Sequence, residues 1–432
     1  MENTSKFQII LLIVFGAFIV IGVLIFALYR GGGSGREKTG SVTVWGTFSA
    51  ADFNSISLRA GLDKDDTLDL TYVQKSEANF DSDFVDALAE GRGPDLILAS
   101  HERILKNEKK LTLIPYQSYP ERTFKDTFLE EGDLFARSGG IVALPLVVDP
   151  LVMYWNRTLF SNAGLALPPE TWVQFFSLST SLTKKDPARN ISQSAIAFGE
   201  YGNINHAKEI LSTLIMQAGS PIVARAGDRF SSVLDTVFDP PINPGEEALN
   251  FYAEFSNPIK SFYSWNRSLP RSLNFFLSGD LAVYFGFASE LFAIQEKNPN
   301  LNFDVVLLPQ SLDSPRKTTF GRLYVIAPVK NSLNSAGAFK VANVLTGREG
   351  VLAAADILKL PPARRDLLAL RQTDAYLAVF YNSAIRAEGW HDPDTSATNR
   401  IFQNMIESVT SGQMKTSQSL QRASSELQQL LK

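Results

Sequence analysis

The sequence predicts an α/β chain divided into two lobes, and three observations carry that expectation. Short β-rich runs alternate with segments of helical period, the pattern of a parallel sheet covered by helices. The chain has 432 residues, and those after position 40 contain no second long apolar run and are too many for one core of ordinary size. A single apolar stretch near the start stands apart from the rest.

That stretch, FQIILLIVFGAFIVIGVLIFALY at 7–29, has no charged residue and no proline. As a helix it would reach roughly 35 Å, against a hydrocarbon core of about 30 Å. Its exit, Ala27-Leu28-Tyr29-Arg30, puts a bulky tyrosine where signal cleavage wants a small residue, so an uncleaved transmembrane anchor is expected after a short tail at 1–6. Gly-rich GGGSGREKTG then makes 30–40 a flexible linker. Lys6 stands on one side of the anchor and Arg30, Arg36 and Lys38 on the other, so the positive-inside rule does not fix orientation.

The first element of the soluble part is Ser41 to Trp45, a β-rich run that opens into the polar loop Gly46-Thr47-Phe48-Ser49. Leu68 to Val73 alternates in the same way. Phe84, Val85, Leu88 and Ala89 have helical spacing, Gly91 to Gly93 ends that helix, and Pro94 to Ser100 is the next buried strand. In such a strand–helix–strand unit, ligands sit off the carboxyl ends of the strands. Strands are expected at Ile141 to Leu146, Leu151 to Trp155, Leu281 to Phe285, Phe303 to Leu308 and Leu323 to Pro328. Helices are expected at Trp172 to Leu182, at His206 to Gly219 and through the C-terminal part.

Composition removes several classes of function. The formal charge is −4 with no dense basic cluster, which argues against a nucleic-acid partner. There is no cysteine, which excludes thiol catalysis, disulfides and lipid attachment at a processed cysteine. Phosphate-loop, zinc-helix and nucleophile-elbow motifs are absent. His101, His206 and His391 are too far apart in sequence for a local metal motif, so no cofactor or metal is expected.

Ala143 to Lys184, ALPLVVDPLVMYWNRTLFSNAGLALPPETWVQFFSLSTSLTK, resembles the extracellular solute-binding proteins of ABC importers, specifically the maltose-binding-like family 1. Three further segments fit in the same order: SVTVWGTFS, Tyr263 to Gln310, and Phe320 to Gly350. The likeness spans about Ser41 to Gly412. It implies a two-lobed periplasmic-binding-protein-like fold with a cleft that closes about a hinge. Crossings are expected near Asp149 to Tyr154, Thr318 to Pro328 and Thr373 to Val379. Lobe one is then 41–150 with 324–373, and lobe two 151–320 with 376–432.

The resemblance also implies a small solute, mostly a sugar, whose C–H faces stack on aromatic rings and whose hydroxyls need fixed polar partners. Trp265 and Trp390 are the expected cleft aromatics, set in the polar runs YSWNRS and GWHDPD, against the alternative that each is core. Trp45, Trp155 and Trp172 are expected to pack. Thr47, Phe48 and Ser49 follow the first strand, and Ser100 and His101 the third; Ser100 could equally cap a helix. Asp149, at the first crossing, either accepts solute hydroxyls or serves the turn before Pro150. Tyr201, Gly202 and Asn203 form an expected rim loop, and Gly286 and Phe287 end another strand.

The function implied is a tethered, monomeric extracytoplasmic receptor that delivers a carbohydrate to an ABC permease and is not an enzyme. Two alternatives stay open: a glycan-active enzyme with two facing carboxylates, and a sensory binding protein without transport.

Overall fold

The computed structural model of the chain describes residues 14–19, 21, 39–238, 242–312, 314 and 316–432. Most of the expected anchor at 7–29 and most of the linker at 30–40 lie outside these. Residues 14–19 are helical, with Val14, Phe15, Phe18 and Ile19 exposed; among the described residues no helix is long and apolar enough to cross a membrane.

The first lobe is built on the expected strand–helix–strand unit. Gly40–Gly46 pairs in parallel with Leu68–Gln74 on one side and Leu96–Ser100 on the other. Helix Ala50–Arg59 buries Phe53 and Ile56, and helix Phe80–Ala89 buries Phe80 and Phe84, the near-neighbour spacing that lays one apolar stripe on a sheet. Ser49 starts the first of these helices by accepting the Asp52 N–H at 3.0 Å.

Two long strands join the lobes. Leu144–Asn156 runs as one strand of 13 buried residues where two separate strands, 141–146 and 151–155, are expected. Up to Pro150 it pairs with Thr319–Pro328, which also pairs with Leu96–Ser100. From Leu151 it pairs with Leu281–Phe287, and from Met153 also with Phe303–Val306. Pro150 has no N–H to donate, and it stands where the strand changes partners, so the strand tolerates it.

Ile191–Ile196, parallel to Leu281–Phe287, extends the second sheet. Nearby, helix Ala375–Ala384 packs on the first crossing strand, and the short strand Ala387–Glu388 pairs in parallel with the start of the second. The chain then enters helices Thr395–Thr410 and Thr416–Leu430, which pack on each other and on helix Pro244–Glu254.

An aromatic core fills the second lobe, with Trp172, Phe175, Phe198, Tyr252, Phe255 and Phe285 all buried. Burial of each such ring contributes about 2–3 kcal/mol. The helix expected from Trp172 begins at Gln174; Trp172 lies in the preceding turn, where its Nε1–H donates to Gln217 Oε1 at 2.6 Å. Gln217 is itself buried and donates to the carbonyls of Pro309 and Thr318, tying three loops together.

Candidate functional site

The loops at the strand ends of both lobes converge on the second crossing strand. Side chains on a strand alternate between faces, so Phe320, Arg322 and Tyr324 share one face of Thr319–Pro328. At the lobe-two end, Phe287 packs 6.2 Å from Phe320 and lies under the Arg322 guanidinium at 4.1 Å. At the lobe-one end, the Tyr324 ring lies 4.8 Å from Phe48, whose carbonyl accepts the Tyr72 hydroxyl at 2.8 Å. Phe48, Arg322 and Tyr324 are half-buried, so this aromatic and cationic strip retains open surface along its length.

Beside the strip lies a concavity of about 440 Å³, lined by Tyr201, Gly202, Asn205, His206, Lys208, Glu209, Arg271, Asn399 and Gln403. It opens at the start of helix Ala207–Gln217, whose first turn has no side-chain cap. His206, with φ of 59°, turns its ring onto Phe287 at 4.8 Å and pairs with Glu290 at 2.6 Å. Burial would lower the His206 pKa, but the Glu290 carboxylate outweighs it and raises it. A larger concavity, about 710 Å³, is lined by Leu105, Lys109, Leu113, Arg137, Phe230 and Leu430 among others; the smaller one is the one joined to the strip, through His206 on Phe287 and Glu209 beside Arg322.

A buried ionic network lies under the strip. Arg322 Nε donates to Glu102 at 2.9 Å and its guanidinium reaches Glu209 at 3.8 Å. Lys208 is 1 % exposed and lies 2.9 Å from Asp392 and 3.6 Å from Glu102. Burial would raise the Glu102 pKa, yet the two cations hold its carboxyl well below the usual carboxylate range. The network binds the turn after Leu96–Ser100 to lobe two and to the 387–392 segment.

The expected site residues divide between the strip with its concavity and the scaffold around them. Phe48, Tyr201, Gly202 and Phe287 lie on the strip or the polar concavity. Thr47 is half-buried beside Phe48 in the same loop. Ser49 is engaged as the helix cap already described, and its hydroxyl donates to Asp52 at 2.6 Å. Ser100 is buried, precedes a short 3-10 turn and makes no side-chain capping bond. His101 is buried, and its Nδ1 accepts the Leu323 N–H at 3.2 Å, which ties lobe one to the crossing strand.

The two tryptophans expected in the cleft are both enclosed. Trp265 has no exposed surface: its ring packs on Phe275 and its Nε1–H donates to Asn203 Oδ1 at 3.1 Å. Asn203 in turn donates to the carbonyls of Asn266 and Leu269, so the rim-loop asparagine and the tryptophan brace one another. Trp390 is 2 % exposed, stacked on Phe402 with Lys208 5.8 Å from its ring. The polar neighbours that suggested exposure, Asn266 and Asp392, make local hydrogen bonds instead.

Asp149 is 1 % exposed and accepts the Ser289 N–H at 3.0 Å, so it pins the first crossing to the end of Leu281–Phe287; burial pushes its pKa up to about 6. Gly286 is required by its own neighbours: a Cβ there would stand 2.5 Å from the Tyr284 ring. Arg322, Tyr324, Lys208 and Glu209 were not identified from sequence. The signal for the first two was present in FGRLYVIAP, an apolar strand interrupted by a charge and a phenol two residues apart.

Two lobes, two strands passing between them, and a strip of aromatic and hydrogen-bonding groups across the junction make up a two-lobed, periplasmic-binding-protein-like fold. The chain belongs to the bacterial extracellular solute-binding proteins, whose family model matches residues 64–351. No curated protein sequence matches it. Among solved structures, a cyclo/maltodextrin-binding protein complexed with maltotetraose aligns with a TM-score of 0.72 at 15 % identity, over 92 % of this chain and 98 % of that one. CpMnBP1 with mannotriose bound aligns at 0.68 and 19 %, covering 90 % and 99 %. A solute-binding protein of an ABC transporter from Thermotoga lettingae TMO, bound with alpha-D-tagatose, aligns at 0.69 and 17 %, covering 91 % and 100 %.

Proposed function

We propose that the chain is a membrane-tethered extracytoplasmic receptor that captures a carbohydrate by closing its lobes and passes it to an ABC-type permease. The observation that carries this reading is the strip Phe287, Arg322, Tyr324, Phe48, which runs from one lobe to the other beside a polar concavity. A sugar ring needs both: apolar C–H faces rest on aromatic planes, and hydroxyls take several fixed donors and acceptors. Tyr201, Asn205, His206, Arg271, Asn399 and Gln403 supply the second set. The sugars bound by the structurally similar proteins support the same class of ligand.

Lobe one in this reading is 41–150 with 324–373, and lobe two is 151–320 with 376–432. The exchange of sheet partners at Pro150 and Leu151 supports the first of these boundaries. The apolar segment 7–29 serves as the anchor and 30–40 as the tether, which together keep the receptor at millimolar effective concentration near its permease. The exposed apolar side chains at 14–19 support an anchor that meets lipid rather than protein. The ATPase belongs to another chain, and the receptor acts as a monomer without catalysis.

The test is isothermal titration of the full chain in detergent micelles with mannotriose, maltotetraose and tagatose, with spermidine, glutamate and inorganic phosphate as contrasts. Saturable binding of a saccharide, weakened at least tenfold by Tyr324→Ala, supports the reading. Binding of a contrast solute alone overturns the carbohydrate assignment.

A further inference from the structure

Glu131 is a buried carboxyl at the hinge that the solute site does not use. It is 4 % exposed, and neither carboxyl oxygen has a hydrogen-bond partner among the described residues. It lies in the 3-10 turn Glu130–Phe135 of lobe one and is wedged between two glycines. A Cβ at Gly321, on the second crossing strand, would stand 2.7 Å from Oε2; one at Gly389, just after the short strand Ala387–Glu388 that pairs with that crossing strand, would stand 2.8 Å from Oε1. The same point at Gly389 is 2.7 Å from His101 Nε2, another buried atom without a partner.

The protonation of this cluster follows from its bonds. His101 Nδ1 accepts from Leu323 N–H, so the neutral ring carries its proton on Nε2. Burial lowers the His101 pKa to about 4, which keeps the ring neutral. The other charged groups facing Glu131 are carboxylates: Glu102 from the turn after Leu96–Ser100 and Glu388 from the short strand beside Gly389. The Arg322 guanidinium and the Lys208 ammonium that could have offset them are engaged by Glu102, Glu209 and Asp392. Burial first, and then these two carboxylates, push the Glu131 pKa well up.

We propose that Glu131 is a proton-operated pivot, which fits between the two crossing segments as a neutral carboxyl and drives them apart as a carboxylate. In the conformation described here Glu131 is enclosed by these segments and holds a proton. A hinge rotation that parts Gly321 or Gly389 from it admits water and favours the carboxylate. Rising pH therefore shifts the lobes away from this conformation, and any solute that selects one lobe arrangement exchanges a proton on binding.

The chain has no cysteine, so Leu333→Cys in lobe one and Ile259→Cys in lobe two, at positions 99 % and 91 % exposed, take spin labels selectively. The interlobe distance distribution of the full chain in detergent is measured by pulsed dipolar spectroscopy from pH 5 to 9, in the labelled protein and with Glu131→Gln added. Expected is a shift of population between two distances as pH rises, which E131Q removes. Asp149 and His206 titrate in both proteins, so the difference belongs to Glu131. Melting temperatures provide a second readout: E131Q minus wild type widens by several degrees between pH 5 and 8. If E131Q does not fold, Glu131→Met, also without a titratable group, replaces it. A distance distribution that does not change with pH in the wild type, or an equal shift in the variant, overturns the proposal. Parallel melting curves do the same.

Discussion

Lys208→Met removes the cation that lies between the buried carboxylates of Asp392 and Glu102. Lys208 is 1 % exposed, Asp392 1 % and Glu102 4 %, so water replaces none of the lost contacts. Asp392 keeps the Thr398 hydroxyl at 2.9 Å, and Glu102 keeps Arg322. An uncompensated buried charge costs about 3–5 kcal/mol. Unfolding entropy near 2.1 cal/mol/K per residue, over roughly 390 residues unfolding together, gives about 0.8 kcal/mol/K, so the melting temperature should fall by about 4–6 °C. The measurement is reversible thermal unfolding followed by circular dichroism. Lys208→Met with Asp392→Leu should recover at least half of the loss, because both charges are then gone and the volume remains filled. A single variant within 1 °C of wild type, or a double variant lower than the single, would refute the claim that this pair is uncompensated when broken.

Two other expectations concern the rings and the first crossing. Tyr324→Ala, at a half-buried position, should weaken saccharide binding at least tenfold in titration while leaving the melting temperature within a few degrees, whereas Trp390→Ala should destabilise by about 3–5 kcal/mol because it empties a buried site. Asp149 has its pKa raised by burial to about 6 from 3.8, so its contribution to stability is full below about pH 4 and is lost as pH rises through 6. Asp149→Asn keeps an acceptor for the Ser289 N–H and does not ionise. Its stability relative to wild type, from urea unfolding at pH 4 and pH 7, should therefore rise by on the order of 3 kcal/mol.

The scaffold was largely legible because period and punctuation act locally. Val42, Val44 and Trp45 are buried in the first strand behind an exposed Ser41, Gly91 to Gly93 ends a helix, and Leu96 to Ser100 is buried at every residue, as a strand covered on both faces should be. The break expected before Leu151 was wrong for a tertiary reason: Pro150 reads as a terminator unless a second strand takes over the pairing, and that partner lies some 140 residues further on. Phe48, Tyr201 and Phe287 could be singled out because they follow strands whose ends are legible in the sequence.

The tryptophans failed for a different reason. A polar neighbourhood in sequence suggests exposure, but Asn203 satisfies the Trp265 indole and Lys208 joins Asp392 below Trp390, so the polar groups serve burial. The same logic explains why Lys208 and Glu131 were missed. Each stands beside another charged residue, Glu209 after Lys208 and Glu130 before Glu131, and local pattern reads such a pair as a solvated position. What makes both consequential is that three separate chain segments close over them, which becomes visible only when Ser100, Gly321 and Gly389 are brought to the same place. Perturbed groups concentrate at such crossings because burial by several segments withholds water from each of them at once. Residues buried in this way are the ones a reading of local pattern is least equipped to find.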